Sequence, residues 1–275
     1  MNHLDVRYAT NPAQIPGMTT QDLRANYLVT DLFQPGEIRG TYSHEDRMII
    51  AGIVPAGKEI TLPTYDELRT DNFLDNREAG IVSIGGTGTI TADGTTYEMP
   101  KGSVLYLGRG TKDVVFSGTD AVFYLVSATA HKTYPNVRKL ADEGNVIEMG
   151  DIKTSNSRTI RQMIVDGQIE SCQLALGMTT LNEGSMWNTI PSHTHERRTE
   201  SYLYYDLPEG ARVFHMMGTP TETRHLVVAD REAIISPPWS IHSGVGTAAY
   251  SFVWAMAGEN KAFTDMDTLN AADLI

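Results

Sequence analysis

Short apolar runs separated by turn residues recur along the whole chain, whereas apolar positions at helical spacing are scarce. Residues 121–126 and 250–255 are rich in aromatic and β-branched side chains, which are typical of buried strands. Residues 89–97 carry Asp93-Gly94 between two such runs and predict a β-hairpin. The pattern therefore predicts an all-β protein made of barrels or sandwiches.

Helical signals are confined to two short segments. Residues 20–24 and 267–273 each resemble a short capped helix packed on the flank of a barrel. The glycines between Gly85 and Gly88 could suggest a nucleotide-binding loop, but no helix follows to offer its N-terminus to a phosphate. We interpret that stretch as a turn.

The chain divides into two similar halves. Residues 136–145 are polar and lack alternation, so we predict one domain over residues 1–140 and a second over residues 141–275. Residues 105–113 align with residues 234–242, and each segment is followed by a strand-like run. This internal similarity predicts two barrels of the same type.

Composition narrows the class of protein. The chain has 275 residues, 41% apolar and 20% charged, and a net charge of -12, which argues against a nucleic-acid partner. Its single cysteine, Cys172, cannot form an intrachain disulfide. The start of the chain lacks a secretory signal pattern, and no apolar run approaches the length of a membrane helix. We expect a soluble cytoplasmic protein with no membrane partner.

Four residues in the second half form a candidate metal site. His193 and His195 lie two apart, so on a strand both would project from the same face. Glu200 opens a strand-like run, and His242 follows a proline-bearing turn. We expect the first three on or beside one strand pair and the fourth on a later strand. Three imidazoles and one carboxylate are ligands typical of a divalent transition metal, most often zinc.

The first half carries no equivalent set. When Glu78 is aligned with Glu200, the positions of the three histidines are taken by Asp71, Phe73 and Asp113. Phe73 cannot bind a metal. The alignment predicts a metal-free first barrel and one ion per chain.

The four candidate ligands match the two motifs of the cupins, although Trp239 stands where a cupin usually has glycine. The resemblance then becomes narrower. The chain resembles the 5-keto-4-deoxyuronate isomerase family in blocks that cover most of its length: residues 42–44, 84–86, 88–90, 154–160, 191–198, 214–218, 222–225, 239–246 and 258–260.

The resemblance implies a zinc-dependent protein of two cupin barrels, usually a homohexamer, that acts on pectin-derived uronates. It implies one Zn²⁺ per chain, held by His193, His195, Glu200 and His242. The family's reaction converts 5-dehydro-4-deoxy-D-glucuronate to 3-deoxy-D-glycero-2,5-hexodiulosonate, so the expected partner is a small acidic sugar.

Isomerisation moves a proton between neighbouring carbons through an enediol, whose charge a metal ion can stabilise. Tyr202 and Tyr204 share the parity of Glu200 and are candidates to relay the proton, or else they fill the core. His215 and His225 are further candidates, with a structural role as the alternative. Glu196 is expected to point away from the site.

The substrate carboxylate needs a local cation in this acidic protein, and the guanidinium fork suits it. The candidates near family-like blocks are Arg158, Arg161, Arg198 and Arg224, and each could instead be a solvated surface residue. Arg197 is adjacent to Arg198, so at most one of that pair should reach the pocket.

Two other functions stay open on the sequence. The same ligand set binds iron(II) in cupin dioxygenases, which oxygen consumption would identify. The other is a non-catalytic sugar-binding cupin, although no DNA-binding helical segment of a sugar sensor is visible.

Overall fold

The computed structural model describes residues 3–275, and their 23 strands confirm the all-β prediction. The strands form four sheets, two in each half of the chain. We call the two seven-stranded sheets the inner sheets and the two smaller ones the outer sheets. None of the helices in the described residues is long and apolar enough to cross a membrane.

The first half contributes eleven strands to its own two sheets. The first inner sheet has the order β1-β3-β4-β11-β6-β9-β12, with β1 (His3–Arg7), β3 (Glu37–Ser43), β4 (Ile49–Val54), β6 (Arg77–Ser83), β9 (Val104–Leu107), β11 (Phe123–Thr129) and β12 (Val137–Lys139). The first outer sheet has the order β5-β10-β7-β8, with β5 (Ile60–Thr61), β7 (Gly88–Ala92), β8 (Thr95–Met99) and β10 (Val114–Ser117).

The second half repeats this plan. The second inner sheet has the order β13-β14-β15-β22-β17-β20-β2, with β2 (Leu28–Val29), β13 (Asn145–Met149), β14 (Arg158–Ile164), β15 (Ala175–Leu181), β17 (Arg198–Tyr205), β20 (Ala233–Ser236) and β22 (Ser251–Gly258). The second outer sheet has the order β19-β18-β21-β16-β23, with β16 (Trp187–Thr194), β18 (Val213–Thr219), β19 (Glu222–Val228), β21 (His242–Gly246) and β23 (Asp267–Thr268).

The two inner sheets pack against each other. Their shared core includes Val82 and Val126 from the first half and Leu203 and Val253 from the second. Gly80 permits this approach, because a Cβ atom there would lie 2.7 Å from Cδ1 of Ile164. Each inner sheet also encloses a separate core with its own outer sheet. Central strands of the inner sheets such as β11 and β22 are buried on both faces, which explains their nearly continuous apolar sequences.

One segment of the first half packs on the second half. A short helix, α1 (Thr20–Tyr27), and the following β2 pack on the second half, where Leu28 pairs with Ile234. The helix predicted at residues 20–24 is thereby confirmed, and Thr19 and Asp22 form its capping box. β12, the last strand before residue 140, pairs with β9 and so stays with the first half. The division at 140/141 falls between β12 and β13 and stays a prediction, because part of the first segment packs on the second half.

The helix predicted over residues 267–273 is wrong for its first part. Asp267 and Thr268 form β23, which pairs with Thr194 and His193 of β16. Only Ala271–Asp273 form a 3-10 helix, capped by Asn270. An available strand edge offers ladder hydrogen bonds, whereas so short a helix is unstable alone. The other 3-10 helices are Pro12–Gly17, Asp66–Leu68 and Ile152–Thr154.

The predicted hairpin is confirmed, since Asp93 and Gly94 connect β7 to β8 with φ angles of 45° and 79°. The alignment of Glu78 with Glu200 is wrong by one residue. Ala79 pairs with Leu107 as Glu200 pairs with Ser236, so Ala79 holds the equivalent position. A shift of one residue reverses the face of a strand. Glu78 accordingly faces the other half rather than its own barrel.

Candidate metal centre

The four predicted ligands lie at the interior of the second half, on strands of opposite sheets. His193 and His242 pair directly across β16 and β21 of the outer sheet. His195 lies just beyond the end of β16, and Glu200 is the third residue of β17 in the inner sheet. The expectation that the first three share one strand pair is therefore wrong. The outer-sheet ligands instead face Glu200 across the barrel interior.

The donor atoms of these side chains converge on one point. Nε2 of His193 lies 2.9 Å from Nε2 of His242. Oε2 of Glu200 lies 3.1 Å from Nε2 of His195 and 3.2 Å from Nε2 of His242. One donor atom from each of the four side chains lies within 4.8 Å of every other. A metal about 2.1 Å from each donor requires neighbouring donors about 3.0–3.4 Å apart.

Backbone carbonyls orient all three imidazoles. Nδ1 of His195 lies 2.9 Å from the carbonyl oxygen of Arg198. Nδ1 of His193 lies 3.4 Å from the carbonyl of Pro191, and Nδ1 of His242 lies 3.3 Å from that of Ser240. A hydrogen on Nδ1 donated to these carbonyls leaves the Nε2 lone pairs free, which is the arrangement of metal-bound histidines.

The electrostatics of the site also suit a cation. Burial lowers the pKa of His193 and, more strongly, that of His242, so both imidazoles are neutral donors. Burial also opposes protonation of His195, but the hydrogen bond and charge of Glu200 outweigh it and raise its pKa. Glu200 is itself only 4% exposed. A buried carboxylate beside three imidazole donors fits a divalent ion, which would compensate the negative charge.

His193, His195 and Glu200 line a cavity of about 250 Å³, and Nε2 of His242 lies 2.9 Å from that of His193. The cavity walls come mainly from apolar side chains, among them Ile160, Phe252, Trp254 and Met256 of the inner sheet and Ile190 of the outer sheet. The segment that follows β22 completes the wall with the side chains of Phe263, Met266 and Thr268. A mostly apolar cavity with a few convergent polar groups is the usual form of a small-molecule site.

Only Arg158 of the candidate arginines lines this cavity. It is 8% exposed, and its Nη1 donates to the carbonyl oxygen of Asn156 at 2.9 Å. Its buried Nε has no hydrogen-bond partner in the described residues. A buried guanidinium with spare donors can accept an anionic group.

The other arginines lie elsewhere. Arg161 is on the opposite face of β14, where its charge acts on Tyr205. Arg224 pairs with Glu222, and Arg197 pairs with Asp265 at 2.6 Å. Arg198 is fully buried outside the cavity lining, and its Nη2 donates to the carbonyl oxygen of Asp265 at 2.6 Å.

The two candidate tyrosines differ in their surroundings. Tyr202 lines the cavity, and its hydroxyl lies 3.4 Å from Oγ1 of Thr189. The Tyr204 hydroxyl lies 2.8 Å from Nδ1 of His215, outside the lining. Burial lowers the pKa of His215 to about 3, so this buried imidazole is neutral. His225 and Glu196 are exposed and are not part of the cavity.

The structure adds a polar residue that the sequence analysis missed. Asn188 lines the cavity, is 6% exposed, and has a side-chain Nδ2 without a hydrogen-bond partner among the described residues. No motif or periodicity singles it out on β16. Only the inward orientation of the Asn188 side chain could have identified it, and that orientation is known only once the facing sheet is known.

Comparison with known proteins gives consistent results along the whole chain. The model of the KduI/IolB family matches residues 29–272. A relative from Kineococcus radiotolerans, named 4-deoxy-L-threo-5-hexosulose-uronate ketol-isomerase, is 54% identical over 98% of this chain and 100% of its own. A relative of the same name from Shouchella clausii is 50% identical over 98% of this chain and 100% of its own.

Solved structures are similar in fold at low sequence identity. An IolB-like protein from Salmonella typhimurium has a TM-score of 0.67 at 18% identity and covers 92% of this chain and 91% of its own. A variant of Bacillus subtilis oxalate decarboxylase has a TM-score of 0.57 at 11% identity and covers 81% of this chain and 71% of its own. These similarities confirm the all-β cupin fold.

Proposed function

The chain belongs to the KduI/IolB family, and we propose that it is a metal-dependent 4-deoxy-L-threo-5-hexosulose-uronate ketol-isomerase. The reaction would interconvert 5-dehydro-4-deoxy-D-glucuronate and 3-deoxy-D-glycero-2,5-hexodiulosonate. The observation that carries the proposal is the convergence of three histidines and Glu200 beside a mostly apolar cavity. Relatives with this name align over nearly the whole chain.

The proposed metal is one Zn²⁺ per chain, held by His193, His195, Glu200 and His242. Three imidazoles and one carboxylate form a suitable donor set for zinc. When bound, a divalent ion with an open coordination position acts as a Lewis acid toward the negative charge that develops on substrate oxygens. The carbonyls of Pro191, Arg198 and Ser240 support the site by fixing the imidazole tautomers.

Arg158 is the proposed partner of the substrate carboxylate. A linear uronate carries its carboxylate at the end opposite the reacting carbonyl, so the cation must lie away from the metal ligands. Arg158 is on β14, three strands from β17 in the inner sheet, which corresponds to about 14 Å between the strands. Asn188, whose Nδ2 has no hydrogen-bond partner among the described residues, is the proposed donor to a substrate hydroxyl.

Tyr202 is the proposed hydrogen-bond and proton donor to a substrate oxygen. Besides the ligands and Arg158, it is the one titratable side chain in the cavity lining of the described residues. Burial raises its pKa well above its usual value near 10, so the hydroxyl remains protonated at neutral pH. It can therefore donate a proton but does not begin the reaction as a base. We assign Tyr204 to support of the core through His215.

The proposal also includes a cytoplasmic location and a homohexamer. The single cysteine, Cys172, has no disulfide partner in the chain, which fits a reducing compartment. The hexamer rests on the family resemblance. Size-exclusion chromatography with light scattering measures that assembly state directly.

The decisive experiment combines metal analysis with an anaerobic isomerisation assay on the 4-deoxy-5-keto-uronate. We expect one metal ion per chain, loss of activity on chelation with the fold retained, and recovery with Zn²⁺. Two ions per chain would contradict the metal-free first half. Oxygen consumption and loss of turnover without oxygen would identify an iron(II) dioxygenase, and metal binding without turnover would identify a binding protein.

A further inference from the structure

The loop between β3 and β4 of the first half lies directly behind the metal ligand Glu200. A gap of only about 10 Å³ separates the two, and Ser43, Glu45 and Met48 face Glu200 and Ser201 across it. A gap of that size holds at most one water molecule. The first half is therefore in packing contact with the strand that carries the ligand.

One hydrogen bond crosses this contact at a position next to the ligands. Oδ2 of Asp46 accepts the backbone N–H of Thr199 at 2.9 Å, although the two residues are 153 positions apart in the chain. The ladder between β20 and β17 stops at Glu200, opposite Ser236. Thr199 lies just beyond that end, so the Asp46 carboxylate supplies the acceptor that the sheet lacks there.

Thr199 lies between two groups that define the site. The carbonyl of Arg198, on one side, orients His195 at 2.9 Å, and Glu200, on the other, supplies the carboxylate donor. A displacement of the Thr199 backbone would move both groups together. Metal affinity falls steeply when such supporting contacts are lost.

The loop is itself held in place by the first half. Arg77, which is 4% exposed, donates to the carbonyl oxygen of Arg47 at 2.5 Å and to that of Ser127 at 3.0 Å. Asp46 and Arg47 both have positive φ angles, 44° and 53°, which turn the loop toward the second half. The support therefore runs from the core of one half to the metal ligands of the other.

We propose that Asp46 is a positioning residue for the metal centre, through which the metal-free half fixes the start of β17. The inference rests on the proposed metal site but not on the identity of the substrate. Asp46→Ala removes the acceptor, and Asp46→Asn keeps a weaker one in a residue that tolerates positive φ. We expect about a 10-fold weaker metal affinity for Asp46→Ala and a smaller loss for Asp46→Asn.

Asp93 offers a matched control in the first half. It has a φ angle of 45°, and its Oδ1 accepts the backbone N–H groups of Lys112 and Asp113 at 3.0 and 2.9 Å. Asp93→Ala and Asp93→Asn thus lose comparable bonds from a comparable backbone, far from the metal ligands. We expect their metal affinity to stay within twofold of the original protein.

The affinity for Zn²⁺ is measured by competition with a chromophoric chelator, and hydrogen exchange of residues 195–203 is followed in the metal-free protein. Faster exchange and weaker binding in the Asp46 variants alone would support the proposal. Equal losses in the Asp46 and Asp93 variants, or an unchanged affinity in Asp46→Ala, would overturn it. If Asp46→Ala does not fold, Asp46→Asn is compared with Asp93→Asn, and the proposal stands or falls by the same criteria. A protein that binds zinc but fails to isomerise the uronate would refute the proposed function and leave this measurement valid.

Discussion

Equivalent strands of the two halves carry different chemistry on the same frame. β6 and β17 occupy the same place in their inner sheets, and each begins with a buried arginine, Arg77 or Arg198. At the equivalent inward position, however, the first half has Ala79 where the second has Glu200. A few inward substitutions therefore separate a filled barrel core from a candidate active site, and the fold alone does not determine which one results.

The halves also place their buried carboxylates differently. Glu200 faces the interior of its own barrel, toward the three histidines. Glu78 faces the other half, where it accepts hydrogen bonds from the Tyr106 hydroxyl and from three consecutive backbone N–H groups of residues 172–174. One carboxylate is available to a metal and the other is saturated by protein donors. Four substitutions test this division of roles, in decreasing order of expected effect.

Removing a ligand should have the largest effect. We expect His242→Ala to lose the metal and to lower kcat/KM by about 10³-fold or more, because charge stabilisation at the substrate oxygens disappears. Elemental analysis and a steady-state assay measure both. The control, Val114→Ala, truncates a buried residue at the start of the equivalent strand β10 and should cost about 2 kcal/mol of stability while it keeps the metal. Full metal occupancy in His242→Ala would contradict the assignment.

Removing the saturated carboxylate should affect stability rather than chemistry. We expect Glu78→Ala to lower the free energy of unfolding by about 3 kcal/mol, because buried N–H donors lose their acceptor. Urea unfolding measures the loss, and metal content and kcat of the folded protein should be unchanged. Exposed Glu98 gives the control, whose alanine variant should stay within about 0.5 kcal/mol. A loss of metal in Glu78→Ala would show that the two carboxylates are not separate in function.

Removing the cavity cation should affect substrate binding. We expect Arg158→Ala to raise KM about 50-fold with metal content unchanged, because a charge-assisted contact to the substrate carboxylate is lost. Arg161→Ala, from the opposite face of the same strand, should leave KM within twofold. Equal effects of both variants on KM would mean that neither arginine recognises the carboxylate.

Removing one hydroxyl should have the smallest effect. We expect Tyr202→Phe to lower kcat about 10-fold through loss of a single hydrogen bond to the reacting substrate. Tyr204→Phe should keep kcat within twofold. Because burial raises the pKa of Tyr202 well above 10, its ionisation should cause no loss of rate up to pH 9. An unchanged kcat in Tyr202→Phe would remove this residue from the mechanism.

The sequence was most informative where chemistry restricts residue type. Few residues bind transition metals, so His193, His195, Glu200 and His242 could be grouped without a structure. Their placement on opposite sheets could not be predicted, because local spacing does not encode which strands face each other. The all-β class followed from alternation and turn residues, which are local properties.

Predictions failed where a distant contact decided the outcome. Local pattern does not show that residues 267 and 268 meet the edge of β16, so a helix was predicted there. Choosing Arg158 over Arg161 required knowledge of which face of β14 is inward. The alignment of Glu78 with Glu200 relied on letter identity, whereas the pairing register shows that the two side chains leave opposite faces.

The placement of β2 on the second half has a consequence for synthesis of the protein. Leu28 pairs with Ile234, so β2 leaves the ribosome about 200 residues before its partner strand. At roughly 5–20 residues per second, the segment waits on the order of 10–40 s for that partner. Tyr27 then packs against Trp239, beside the turn that leads to His242. The ligand-bearing half can thus be completed only after Ile234 and the strands that follow it have been made, although β2 is made about 200 residues earlier.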